Sequence, residues 1–315
     1  MDIYPLKFRP IYKETIWGGR NLQRLFGRAL PDDKTIGESW ELADLPAGVS
    51  VVADGPLAGT TLTDLTRRMG PDLLGDVLPT AEGRFPLLLK FLDATDILSL
   101  QVHPDAQAAA EIPGAAMKTE CWYVVESRGG FIYKGVKPGV TPEDFRRAMQ
   151  ADRLADVVQR YDVAAGDFHY LPAGTVHALG AGVVVAEVQT PSDTTYRVTD
   201  WGRGREIHVD RAMQCIRFDA SCEPPGAKGS RLLAADAFIV SLGQAQPERD
   251  YDLIDQALMI LSGWGLIRYG RGSAVVEFAA GDTILLPAGL AEATMRPGEP
   301  SQFLAVALNP PQEES

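Results

Sequence analysis

Short runs in which apolar and polar residues alternate, broken every few positions by glycine or proline, fill most of this 315-residue chain. A period of two marks strands buried on one face, and the spacing of the breaks marks tight turns between them. Strands are expected at Leu6–Phe8, at Ser39–Leu42 and near Val49–Ala53, and then at Phe85–Ala94 and Leu98–Pro104. Further strands are expected from Glu120 through Val125, at Phe131–Tyr133, and in the run that begins at Gly182. The Phe85 and Leu98 runs follow one another directly and are expected to pair. Helical spacing is confined to a few places. Asn21–Phe26 is one short helix, and Thr61 caps another whose Leu62, Leu65 and Met69 fall on one side. Thr141-Pro142-Glu143-Asp144 opens a third, with apolar Phe145, Met149, Leu154 and Val157, expected to end near Tyr161.

An internal repeat organises these pieces. The segment Val163 to Ala178 recurs 115 residues later as Phe278 to Ala293, sharing Gly-Asp and Leu-Pro-Ala-Gly. Gly-Asp turns into a strand, and Leu-Pro-Ala-Gly turns out of it. Three residues beyond the second turn stands His177 in the first copy and Glu292 in the second. This arrangement resembles the second motif of the cupin superfamily, small jelly-roll barrels that hold a metal through histidines and a glutamate. The resemblance implies a mainly β protein of two cupin-type jelly-roll barrels (a bicupin) with a few short helices. Residues 1–230 would form a catalytic domain around a metal-binding barrel, and residues 231–315 a cupin-like domain without metal ligands. The stretch from Phe218 to Ala234, with Pro224-Pro225-Gly226, is the expected linker.

In Leu98–Pro104, Gln101 and His103 lie two apart, so they share one strand face amid leucines and valine. Two such polar groups are costly to bury unless something binds them. Glu120 opens the next apolar strand, and these three read as ligands of one metal, with His177 the fourth. Zinc accepts this donor set, and an open position beside the ligands would make the site catalytic. His169 and His208 are read as structural or surface groups. In the later run, Glu187, Val185 and Val183 share a face, so Glu187 can enter the same cavity, where burial against the valines would raise its pKa. Lys90, Lys118, Asp193 and Arg197 are brought towards the same place. For Lys90 the competing reading is a lysine snorkelling from the end of a buried strand.

Composition narrows the partners. The formal net charge of -12 argues against nucleic acid or an anionic membrane as a partner. Three cysteines without a CxxC pair fit a reducing compartment, and with neither a signal-peptide pattern nor a long apolar run the expected location is the cytoplasm. Oligomeric state stays open.

Trp17-Gly18-Gly19, Gly37-Glu38-Ser39-Trp40-Glu41, Leu98 to Pro104, Lys118-Thr119-Glu120, Gly174 to Ala178, and Ser192-Asp193 followed by Arg197 together resemble the type I phosphomannose isomerase family in its short bacterial form. The resemblance implies an aldose–ketose isomerase of mannose metabolism that interconverts mannose 6-phosphate and fructose 6-phosphate through a cis-enediol. It implies one divalent metal, zinc, held by Gln101, His103, Glu120 and His177. Arg197 would be an active-site arginine, with Glu187, Lys118 or Asp193 as base. Lys90, Lys118 and Arg197 would hold the phosphorylated hexose. Long family members carry a helical insertion between the glutamate and the last histidine; only 56 residues intervene here. The competing readings are an iron cupin oxygenase and a non-catalytic sugar-binding bicupin.

Overall fold

Alternation along the strands divides their side chains between two interiors, and this explains how the sheets of the computed structural model stack. The structure describes residues 3–219, 221–254, 257–270 and 274–309; Ala220, inside the expected linker, lies outside them. In the first barrel a six-stranded antiparallel sheet faces a five-stranded one. The larger runs, in spatial order, Phe168–Leu171, Glu120–Ser127, Val183–Gln189, Leu88–Ala94, Ile36–Leu42, Ile11–Gly19. The smaller runs Val158–Asp162, Phe131–Val136, His177–Leu179, Leu100–Val102, Tyr196–Thr199. A second pair of sheets, six-stranded and four-stranded, forms the C-terminal half. The fold is mainly β, as expected.

On the larger sheet of the first barrel, Leu92, Ala94, Trp122, Val124, Val183 and Val185 belong to the core inside that barrel. Their neighbours Leu89, Phe91, Tyr123, Ala186 and Val188 point the other way, into one continuous core with Val240, Met259, Leu304 and Val306 of the second half. Such a sheet, buried on both faces, reads as nearly continuous hydrophobic sequence, as Phe85-Pro86-Leu87-Leu88-Leu89 does. The N-terminal Leu6–Lys7 pairs with Thr283–Leu285, so the start of the chain is an edge strand of the C-terminal sheet. Within the expected linker, Arg231–Ala234 is already a strand of that sheet.

The repeat is physical. Gly166 and Gly281 both adopt positive φ, 96° and 89°, which glycine tolerates without strain. In each copy the following aspartate accepts from a backbone N–H three residues back, Ala164 at 2.8 Å and Ala279 at 2.9 Å. In each the proline carbonyl accepts an N–H three residues on, from Thr175 and Leu290. Glu292, the counterpart of His177, is exposed.

Two expectations fail. The Leu88–Ala94 strand does not pair with Leu100–Val102; it lies between Val183–Gln189 and Ile36–Leu42, while Leu100–Val102 pairs with His177–Leu179 and Tyr196–Thr199 in the opposite sheet. Residues 95–99 carry the chain across the barrel, so neighbours in sequence face each other instead of bonding edge to edge. The helix opens at Thr141 as expected, closed there by a capping box with Asp144, but it ends at Gln150. Asp152 turns to φ 54°, a single 3-10 turn follows at Leu154–Asp156, and Val158–Asp162 is a strand. Phe145 and Leu154 are nevertheless buried in one apolar cluster.

Candidate metal centre and cleft

Register places the polar residues of the barrel in two facing rows. Across the larger sheet, Trp40 opposes Lys90, Lys90 opposes Glu187, Glu187 opposes Trp122, and Trp122 opposes His169. Across the smaller one, Arg197 opposes Gln101, Gln101 opposes His177, and His177 opposes Lys134. Residues directly opposite each other share a sheet face.

Glu120, His103 and His177 meet between the rows, each fully or almost fully buried. His103 Nδ1–H donates to the Thr194 carbonyl at 2.8 Å, and His177 Nδ1–H donates to the Thr175 carbonyl at 2.9 Å. These bonds assign the tautomers and leave both Nε2 atoms as lone-pair acceptors, that of His103 without a partner. Both point at one carboxylate: His103 Nε2 is 3.5 Å from Glu120 Oε2, and His177 Nε2 is 3.0 Å from Oε1. His103 Nε2 and both Glu120 oxygens make no hydrogen bond, although the Lys118 ammonium lies 2.7 Å from Oε2 as an ion pair. One ligand atom from each residue lies within 4.8 Å of the others. Buried acceptors aimed at one another without a donor between them are repulsive and costly. The set therefore fits a cation. Burial first, and then the Lys118 ammonium, hold His103 well below its ordinary pKa, the neutral form a metal ligand needs. Burial opposes the charge on Glu120, yet Lys118 and the two imidazoles outweigh it and hold that carboxyl well below its ordinary range. Gln101 stands beside the group, its amide nitrogen 3.3 Å from His177 Nε2. Amide oxygen and nitrogen have nearly the same shape, so a half-turn brings Oε1 to the same place.

Gln101 and Lys118 also line a cleft of about 380 Å³ with Glu38, Trp40, Lys90, Glu187, Asp193 and Arg197. Every residue proposed from sequence thus lies in the metal group or in this cleft. Their environments differ from expectation in places. Glu187 is not surrounded by valines alone: Trp122 Nε1–H donates to its Oε2 at 2.8 Å, and Lys90 Nζ lies 3.2 Å from its Oε1. Lys90 is no snorkelling lysine. Its Nζ is also 3.3 Å from Glu38 Oε2. Burial opposes its charge, but Glu38, Glu187 and Glu120 together lift its pKa above the ordinary lysine value. Lys118 Nζ sits 2.7 Å from Glu120 Oε2 as an ion pair. Asp193 is exposed.

Lys90→Met should destabilise the protein by about 3–5 kcal/mol, because Glu38 and Glu187 would face each other without the cation between them. Urea unfolding measures this; a loss below about 1 kcal/mol would show that the three charges are not coupled.

Sequence reasoning missed Glu38 and Trp40 as lining groups, although they share a face by period two, and missed Trp122 as the partner of Glu187. It also missed the far ends of the rows. There His169 Nε2 is buried without a partner, and burial, helped by Lys134, pulls its pKa down to about 4. A depressed pKa means that the unfolded chain binds the extra proton between about 4 and 6.5. Stability should therefore fall as pH drops through that window. His169→Gln should flatten that slope in unfolding measured from pH 4 to 7, and an unchanged slope would remove His169 from the acid response. His208 lies in the cleft wall, where its Nδ1 accepts the backbone N–H of Arg197 at 3.2 Å. Among the described residues, neither histidine belongs to a metal-holding group, and no helix is long and apolar enough to cross a membrane.

Residues 6–124 match the family model "Phosphomannose isomerase type I, catalytic domain". Mannose-6-phosphate isomerase ManA of Bacillus subtilis (strain 168) is 34% identical over 312 residues, covering 93% of this chain and 96% of its own length. The mannose-6-phosphate isomerase of Streptococcus mutans is 34% identical over 302 residues, covering 90% of this chain and 92% of its own. A solved mannose 6-phosphate isomerase from Bacillus subtilis superposes with a TM-score of 0.85 at 28% identity, covering 96% of this chain and 99% of that one.

Proposed function

Because the chain belongs to the type I phosphomannose isomerase family, we propose that it interconverts mannose 6-phosphate and fructose 6-phosphate through a cis-enediol. The observation that carries the reading is Glu187 Oε1, a buried carboxylate oxygen without a hydrogen-bond partner in the cleft wall beside the metal group. An aldose–ketose exchange moves a proton between C1 and C2 on one face of the sugar. It needs a base that can take the proton and return it. Trp122 holds one oxygen of Glu187, while the other faces the Lys90 ammonium at 3.2 Å without a hydrogen bond. Glu187 is the proposed base, ahead of Lys118, whose ammonium is paired to the metal-group Glu120, and the exposed Asp193. Lys90, kept protonated between its two carboxylates, and Lys118 donate to sugar oxygens. Arg197, next to Gln101 on the neighbouring strand, meets the substrate from the opposite sheet.

A divalent cation, proposed to be zinc, would be held by His103, Glu120, His177 and Gln101 and would supply polarisation of the carbonyl and hydroxyl oxygens at C1 and C2. Only 56 residues separate Glu120 from His177, too few for the long members' helical insertion, and the cleft is formed without it. Fructose 6-phosphate made in heavy water should carry solvent deuterium at C1. Unlabelled product after full equilibration would contradict proton transfer through a solvent-exchanging base and point to direct hydride transfer.

A further inference from the structure

The cations of the cleft are not equally free to meet an anion. Lys90 lies between Glu38 and Glu187, and Lys118 is paired with Glu120. Arg197 has no carboxylate within ion-pair distance among the described residues, and its Nε is buried without a partner. Arg205 lines the same cleft. It spends one edge on Asp200, with Nε 3.0 Å from Oδ2 and Nη2 2.5 Å from Oδ1. Its Nη1 has no protein partner among the described residues. Asp200 is buried and also accepts from Arg203 Nη2 at 3.0 Å, so one carboxylate serves two guanidinium groups.

This corner is held rigidly. Trp201, at positive φ, donates from its indole to the Leu98 carbonyl at 2.7 Å, and Gly202 and Gly204 at positive φ fold the segment back so that Arg205 N–H also reaches Asp200. His208 N–H donates to the Arg197 carbonyl at 2.7 Å while its Nδ1 accepts the Arg197 N–H, which fastens the two arginine segments together. The guanidinium groups are close enough that burial, and then the charge of Arg205, lower the Arg197 pKa. Apart from the buried Asp200, the acids Asp193 and Glu206 at this corner are exposed. Two fixed guanidinium groups sharing a cleft wall with spare donors match the oxygens of a phosphomonoester, which guanidinium binds in a directed way.

We propose that Arg205 is a specificity residue that, with Arg197, holds the phosphate of the sugar at the outer end of the cleft. The inference rests on the proposed isomerase reading, and it assigns the phosphate to the arginines, leaving the paired lysines to the sugar oxygens.

The test is Arg205→Gln and Arg205→Lys in the metal-replete enzyme, with metal content and circular dichroism checked. For Arg205→Gln the KM for mannose 6-phosphate should rise on the order of 10- to 100-fold while kcat changes far less, since loss of a charge-assisted contact weakens binding by about that factor. Inorganic phosphate, measured by calorimetry, should lose affinity by a similar factor. Arg205→Lys, which keeps the charge but not the fork, should recover part of both. Folded Arg205→Gln with KM and phosphate affinity within about twofold of the parent would overturn the proposal; should that variant not fold, an unchanged KM and phosphate affinity in Arg205→Lys would do so. Arg205-dependent phosphate binding in a protein that does not isomerise the sugar would uphold this site and reject the isomerase reading instead.

Discussion

His177→Ala will remove the metal and the isomerase activity together. His177 supplies one of two imidazole nitrogens aimed at the carboxylate, its Nε2 lying 3.0 Å from Glu120 Oε1. Without it the remaining donors no longer close around a cation, and a catalytic centre that relies on that cation loses its polarising charge. Turnover should fall on the order of a thousandfold or more, the scale on which a main source of transition-state charge stabilisation acts. The fold should survive, because Glu292, at the equivalent turn of the second barrel, occupies the same backbone framework without a ligand role. Metal analysis alongside the activity assay reads both effects. Stoichiometric metal in the folded variant would show that the ligand set is wrong.

Glu187→Gln separates chemistry from binding. The amide is isosteric, and its oxygen can still accept the Trp122 indole N–H, now 2.8 Å from Glu187 Oε2. Metal content should be unchanged, since Glu187 is outside the His103, Glu120 and His177 group. The variant cannot take a proton at that position, so kcat should drop roughly 10²- to 10⁴-fold with a small change in KM. A kcat within about threefold of the parent would remove Glu187 as the base and turn attention to Asp193 or Lys118.

The metal group was legible in sequence for a simple reason. Strand period two put Gln101 and His103 on one face, and the Gly-Asp and Leu-Pro-Ala-Gly turns are local signals that also carried His177 into position. Caps were legible too: Thr61 and Thr141 each accept from the aspartate N–H three residues on, as their spacing implies. Pairing was not. Nothing local in Leu88–Ala94 says that its partner is Val183–Gln189, about ninety positions away, and the crossing at 95–99 looks like any short turn. Helical spacing of Phe145, Met149 and Leu154 continued past the true end because apolar burial was preserved through the left-handed Asp152 and the turn after it. The neighbours of Glu187 were hidden in the same way: Lys90 and Trp122 are adjacent to it only through register. Arg205 lies on an irregular segment whose glycines give no periodic signal, so its place beside Arg197 emerges only in three dimensions.

The central claim is that a divalent cation at His103, Glu120 and His177 makes this protein an isomerase of a phosphorylated hexose. The direct measurement is conversion of mannose 6-phosphate to fructose 6-phosphate by protein whose metal has been quantified, stripped with chelator and restored with zinc. The predicted result is about one bound metal per chain, activity lost on stripping and regained on reloading. Zinc-replete, folded protein that fails to convert mannose 6-phosphate would contradict it.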